Sequence, residues 1–232
     1  MLQPVVDEQV WVAEHPSRFH GVDVRTRMTI VRLASGELWV HSPVDAGTAL
    51  KREIDALGRV AFIVAPSNLH YEHARPFFDS YPRSELFVAP RLPEKSGAIA
   101  FGTSLCDTPP SPWASDLAQI TLKGHRYLDE VVFFHRDSRT LIVADLLESV
   151  HDDAPWALRT LGRMAGIYER PGAPMDMRFA YRDVDATRAS LERILAWDFD
   201  GIVLSHGRLI PRGGKRVLRD AYRFLLEPLA AK

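Results

Sequence analysis

The sequence predicts a layered α/β protein, with helices covering the outer faces of two sheets. Two observations carry this. Short, mainly apolar runs with β-branched residues stand at residues 60–65, 117–122, 140–143 and 201–204, and that at 60–65 is wholly apolar, as in a strand buried on both faces. Amphipathic segments at residues 46–57, 186–197 and 215–226 supply helices with one apolar face to lay on a sheet.

In chain order, residues 28–33 and 37–41 flank Ala34-Ser35-Gly36 and read as a hairpin. Residues 46–57 carry helical spacing through Leu50, Ile54 and Leu57, and Gly58 follows as a C-cap. After the 60–65 strand, residues 74–81 read as a short helix stopped by Pro82, and residues 85–88 as a strand. Residues 90–116 are rich in Pro, Ser, Gly and Asp and read as irregular. Strands are expected at 117–122, 130–134 and 140–143, with a polar turn at 135–139. Residues 151–183 mix helical patterns with Pro155, Pro171 and Pro174. A helix over 186–197 takes Asp185 as N-cap. A buried strand at 201–204 and a final helix at 215–226 complete one domain over residues 1–232.

Composition narrows the function classes. Apolar residues make up 46% and charged residues 25% of the 232, ordinary for a globular protein whose core needs no staples. A net charge of -1 gives no reason to expect nucleic acid or a membrane as partner. The single cysteine, Cys106, excludes an internal disulfide and suits a reducing compartment; it reads as a half-buried small side chain. With no basic and apolar leader at the start and no run of about 20 apolar residues, a cytoplasmic location is expected. No Gly-x-Ser-x-Gly elbow, phosphate-binding loop or dinucleotide fingerprint is present.

Four apolar runs end in metal-ligating side chains. Asn68-Leu69-His70-Tyr71-Glu72-His73 follows the first, Gly124-His125 the second, Asp145 the third and Ser205-His206-Gly207 the last. Strand ends meeting at one sheet edge would gather imidazole nitrogens and carboxylate oxygens, the donors a borderline metal needs. The order of these stations resembles the metallo-β-lactamase superfamily, over residues 60–207. The resemblance implies an αβ/βα four-layer sandwich, two facing mixed sheets with helices outside. It places Asn68, His70 and His125 at a first metal, Glu72, His73 and His206 at a second, and Asp145 as the bridge. Asn68 and Glu72 depart from the family's His and Asp, giving an Asn-x-His-x-Glu-His variant.

The activity implied is metal-dependent hydrolysis by one or two divalent ions, Zn first, with Fe or Mn as alternatives. An activated water would attack an ester, amide, thioester or phosphoester, with Asp145 and Glu72 as catalytic carboxylates. Two other readings stay open: a non-catalytic ligand-binding relative with a degenerate site, and an Fe-dependent oxidoreductase or dioxygenase. The substrate is expected to be a small molecule, possibly anionic, with Arg208 and Tyr71 as candidate contacts. The cations after His206 (Arg208, Arg212, Lys215, Arg216, Arg219) otherwise form a solvated face. His41 and His135 read as ordinary hydrogen-bonded groups, as do His15, His20 and His151. Trp39, Trp113, Trp156 and Trp197 read as core or pocket wall.

Overall fold

A computed structural model describes residues 1–19 and 22–227, so His20 lies outside the described residues. The strands are β1 (Gln3–Val6), β2 (Val10–His15), β3 (Arg18–Phe19), β4 (Val22–Asp23), β5 (Thr26–Arg32) and β6 (Leu38–His41). Helix α1 (Thr48–Leu57), β7 (Val60–Ala65), α2 (Ala74–Ser80), β8 (Glu85–Val88), α3 (Leu92–Lys95) and β9 (Thr103–Ser104) follow. Then come β10 (Leu117–Thr121), β11 (Val131–His135), β12 (Thr140–Glu148), α4 (Trp156–Ala165), α5 (Met175–Arg178) and α6 (Val184–Ala196). β13 (Gly201–His206), α7 (Gly214–Ala221) and α8 (Arg223–Leu226) are the last elements among the described residues.

Two mixed sheets result. The first has strand order β1-β2-β5-β6-β7-β8-β9 and the second β10-β11-β12-β13, while β3 and β4 pair as a separate ribbon. β5 and β6 form the expected hairpin with Thr29 opposite His41, β6, β7 and β8 run parallel, and β13 joins β12 in parallel.

The side-chain alternation of the buried strands sorts the core into three layers. Ile63 and Ala65 of β7 face outward onto Ile54 of α1 and Phe77 of α2. Val64 and Phe62 face inward, where they join Trp39, Trp113, Val131, Phe133 and Ile142 between the sheets. Val132 and Phe134 of β11 and Leu141 and Val143 of β12 face the other way, onto Leu191 and Ile194 of α6 and Leu218 of α7. The result is the expected sandwich with helices on both outer faces.

Several expectations need correction. β1 and β2 were not foreseen in the first 15 residues; Val10 and Val12 of β2 are buried because β2 pairs along the whole of β5. Asp183, not Asp185, caps α6, its carboxylate accepting the Ala186 N–H at 2.9 Å, while Asp185 sits in the first turn and pairs with Arg188. β12 runs on past Val143 to Glu148, with a register shift that re-aims the residues between. The final helix breaks at Tyr222, whose hydroxyl donates to the Leu146 carbonyl at 2.7 Å. Cys106 is exposed, not half-buried, and Trp156 is 74% exposed rather than core, whereas Trp39 and Trp113 are fully buried. His135 has the expected partner in Ser138, but neither ring nitrogen of buried His41 has one. Among the described residues no helix is long and apolar enough to cross a membrane.

Candidate metal centre

Three loops and strand ends at one edge of the sandwich bring His70, Asp145 and His206 together. The first comes off β7. Buried Ser67 accepts the N–H groups of Leu69 and His70 on its hydroxyl oxygen at 3.2 and 3.1 Å, which winds the chain tightly and turns His70 inward. The same hydroxyl donates to Asp145 Oδ2 at 3.3 Å. Asp145 lies in the irregular stretch of β12. There the backbone N–H groups of Ala144 and Asp145 are held by the Glu130 carboxyl at 2.7 and 2.9 Å. His206 ends β13, and Gly207 follows at φ +108, where a Cβ would stand 2.1 Å from the Ser149 hydroxyl. Only glycine lets the chain turn away that closely.

His70 Nε2 is 3.1 Å from Asp145 Oδ1 and 3.1 Å from His206 Nε2, and the His206–Asp145 separation is 3.7 Å. Donors sharing one tetrahedral zinc at ordinary bond lengths stand about 3.3 Å apart. The His206 Nδ1–H donates to the Arg25 carbonyl at 2.6 Å, which leaves the Nε2 lone pair facing the other donors, as in a metal-ligating imidazole whose far nitrogen is tied to a carbonyl. Ser67 occupies Asp145 Oδ2 and leaves Oδ1 turned to the cluster. By these measures the donor set fits a single divalent cation.

The electrostatics agree. Burial works against the charge of Asp145, yet the His70 imidazole beside it holds the carboxyl below its usual range. Burial likewise opposes a charge on His70, but Asp145 raises its pKa above the ordinary value. Burial and then the His70 charge lower His206 to about 4, so it stays neutral. Asp145 is thus held as a carboxylate beside two histidines, the donor types that a borderline divalent cation takes once His70 gives up its proton.

The other expected ligands are placed differently. Asn68 donates from Nδ2 to the Tyr127 carbonyl at 2.6 Å and accepts the Asp129 N–H on Oδ1 at 3.2 Å. His125 donates from Nε2 to the Met177 carbonyl at 3.0 Å, and its Nδ1 accepts from Leu128 N at 2.7 Å and Tyr127 N at 3.2 Å. Both side chains therefore fasten the 125–129 loop. Glycine is required at 124, where a Cβ would meet the Asp183 carbonyl at 2.1 Å. Glu72 is exposed, and the His73 ring stands edge-on to His15 at 5.4 Å. Tyr71 packs on the outer core beside α2 with Lys95 above its ring. Arg208 pairs with Asp152 and Asp153 on the rim of a groove of about 330 Å³ that also meets Arg25, His151, Ser205 and Gly207, next to His206.

Sequence reasoning missed Ser67, Glu130 and Arg27. Glu130 is fully buried, and burial followed by the nearby Asp145 pushes its pKa up to about 8. A carboxylic acid opening an otherwise apolar strand was the available signal. Arg27 is 5% exposed at the start of β5; nothing local to its sequence marks it.

Comparison with known proteins places this geometry. The model of a family described as Domain of unknown function (DUF4336) matches residues 7–177. No curated protein matches the chain in sequence. Among solved structures, a metallo-β-lactamase from Pontibacter korlensis superposes with a TM-score of 0.63 at 14% identity, covering 98% of this chain and 99% of that one. The metallo-β-lactamase FIM-1 from Pseudomonas aeruginosa, in its mono-zinc form, gives 0.62 at 10% identity over 98% and 96%. A metal-soaked flavodiiron core, Flv1 from Synechocystis, gives 0.64 at 12% over 97% of this chain and 60% of that one. At these identities the likeness establishes the fold: a divergent metallo-β-lactamase-like sandwich.

Proposed function

The chain belongs to the DUF4336 family, and we propose that it is a metal-dependent hydrolase working through one divalent cation, with zinc the first candidate, held by His70, Asp145 and His206. The observation that carries this is the convergence of Nε2, Nε2 and Oδ1 within 3.1–3.7 Å, with the far nitrogen of His206 tied to a backbone carbonyl. A cation bound there supplies Lewis acidity toward a water and a carbonyl or phosphoryl oxygen, in an ester, amide, thioester or phosphoester. Ser67 fixes the carboxylate through Oδ2, so that Oδ1 would serve as a ligand of the cation. Glu72, exposed two residues beyond His70, is the proposed acid–base group. The groove of about 330 Å³, lined by Ser205 and Gly207 on either side of His206 but by none of the three donors, suits a small molecule. Arg25 and Arg208 on its wall are 67% and 54% exposed at their side chains and, among the described residues, pair with Glu14 and with Asp152 and Asp153. Such pairs exchange readily for a substrate's anionic group.

A second reading rests on the donor set itself. Two imidazoles and one carboxylate also make up the facial triad of non-haem Fe(II) enzymes. Metal analysis separates the readings. Protein purified without chelator is expected to carry one zinc per chain, lost in His70→Ala and His206→Ala, and to cleave nitrophenyl ester or phosphodiester probes. One iron with metal-dependent oxygen uptake would favour the redox reading. No bound metal after reconstitution would reject both and leave a ligand-binding module.

A further inference from the structure

At the seam between the sheets, β5 of the first grips the end of β13 in the second. Arg27 is 5% exposed. Its Nη1 donates to the Leu204 carbonyl at 2.5 Å, and its Nη2 donates to the Gly207 carbonyl at 2.7 Å and to Glu14 Oε1 at 2.6 Å. Those carbonyls lie two residues before and one residue after His206. Two residues before Arg27, Arg25 sits at φ +45, a left-handed conformation that non-glycine residues rarely adopt. Its N–H is taken by Asp23 Oδ1 at 3.1 Å, and its carbonyl receives the His206 Nδ1–H. A short stretch of β5 and the turn before it thus contacts three consecutive features of the β13 end: the backbone before the histidine, its ring, and the backbone after it.

We infer that Arg27 is the positioning residue of the centre: anchored by Glu14, its guanidinium holds the Leu204 and Gly207 carbonyls so that His206 keeps Nδ1–H on the Arg25 carbonyl and Nε2 toward His70 and Asp145. A guanidinium suits this because its planar fork reaches two carbonyls and a carboxylate at once, which an ammonium cannot do in fixed directions. The Glu14 carboxylate balances a cation that is otherwise buried. The effect on cation affinity rests on the metal reading above; the effect on the imidazole tautomer does not.

The test uses metal-free protein first. Long-range ¹H–¹⁵N spectra of the wild type are expected to show His206 as the Nδ1–H tautomer, and Arg27→Met a mixture of tautomers. Zinc titration against a chromophoric chelator should then show affinity lowered about 10–100-fold in Arg27→Met, the range typical when a group that orients a metal ligand is lost. Arg32→Met is the control. Arg32 is on the same strand, donates to the Glu8 and Leu57 carbonyls and lies over Trp11. Its loss should lower the melting temperature without changing tautomer or affinity. If Arg27→Met does not fold, Glu14→Gln should show the same two changes at smaller size. A pure Nδ1–H tautomer and unchanged zinc affinity in the folded variant would overturn the inference. Absence of zinc binding in the wild type would overturn the metal reading and leave the tautomer result to decide the role of Arg27.

Discussion

His41 to leucine should make the protein more stable, and increasingly so as the pH falls. His41 ends β6, fully buried, stacked on Trp39 at 5.7 Å and edge-on to Phe133 at 5.7 Å, with neither ring nitrogen partnered. Each buried polar atom left unsatisfied costs roughly 1–3 kcal/mol. Leucine has a similar volume and gives up aromatic contacts worth about 0.5–1.5 kcal/mol. With two such nitrogens against two such contacts, the middle of these ranges leaves a net gain near neutral pH of about 2 kcal/mol, with the melting temperature rising by about 2–4 °C per kcal/mol. Burial, and then the charge of His70, lower the His41 pKa from 6.5 to about 3. Between those values the unfolded chain binds a proton that the folded chain does not, so acidification removes about 1.4 kcal/mol of wild-type stability per pH unit. Leucine carries no such penalty, and its advantage should grow by about 2 kcal/mol from pH 6.5 to pH 5. Urea unfolding in chelator at pH 7, 6 and 5 measures both quantities. A leucine variant less stable than wild type at pH 7, with a constant difference across the series, would refute the reasoning.

Asn68→Ala and His125→Ala should keep the cation stoichiometry of the wild type while lowering the melting temperature, because both side chains fasten the 125–129 loop; elemental analysis beside calorimetry separates these effects from those of His70→Ala. Gly207→Ala should yield little folded protein, since the new Cβ would meet the Ser149 hydroxyl at 2.1 Å and the Ser149 carbonyl oxygen at 2.4 Å; soluble yield and circular dichroism report it. Asp183→Ala should cost about 1 kcal/mol by loss of the α6 cap, whereas Asp185→Ala, which loses one surface ion pair, should cost only a few tenths; chemical denaturation distinguishes the two.

The buried parallel strands were legible because their apolar, β-branched runs depend little on neighbours. β7 begins and ends where the sequence puts it, as do the β5–β6 turn and the Gly58 cap. β1 and β2 escaped because their burial comes from pairing with β5, a tertiary fact. The four stations also followed from residue type and spacing, but which of them meet did not. Asn68 and His125 carry ligand chemistry in the sequence and spend it on backbone groups of one loop, which only the loop's path reveals. Glu130 and Arg27 went unread for the converse reason: the groups they serve, the Asp145 backbone and the Leu204 and Gly207 carbonyls, lie 15 to 180 residues away.

The spacing of the three donors along the chain sets when the centre can come into being. His70 and Asp145 are 75 residues apart, and His70 and His206 are 136 apart. During synthesis, a nascent chain that has emerged only through β12 already has two of the donors but not the third. The last one arrives with β13, which must add in parallel beside β12 and be gripped from β5 at the other end of the sequence. A cation with three-donor affinity would therefore bind only after the first and last thirds of the chain have met. Its capture would then act as a late cross-link closing a loop of more than 130 residues, the kind of long closure that removes most freedom from the unfolded chain.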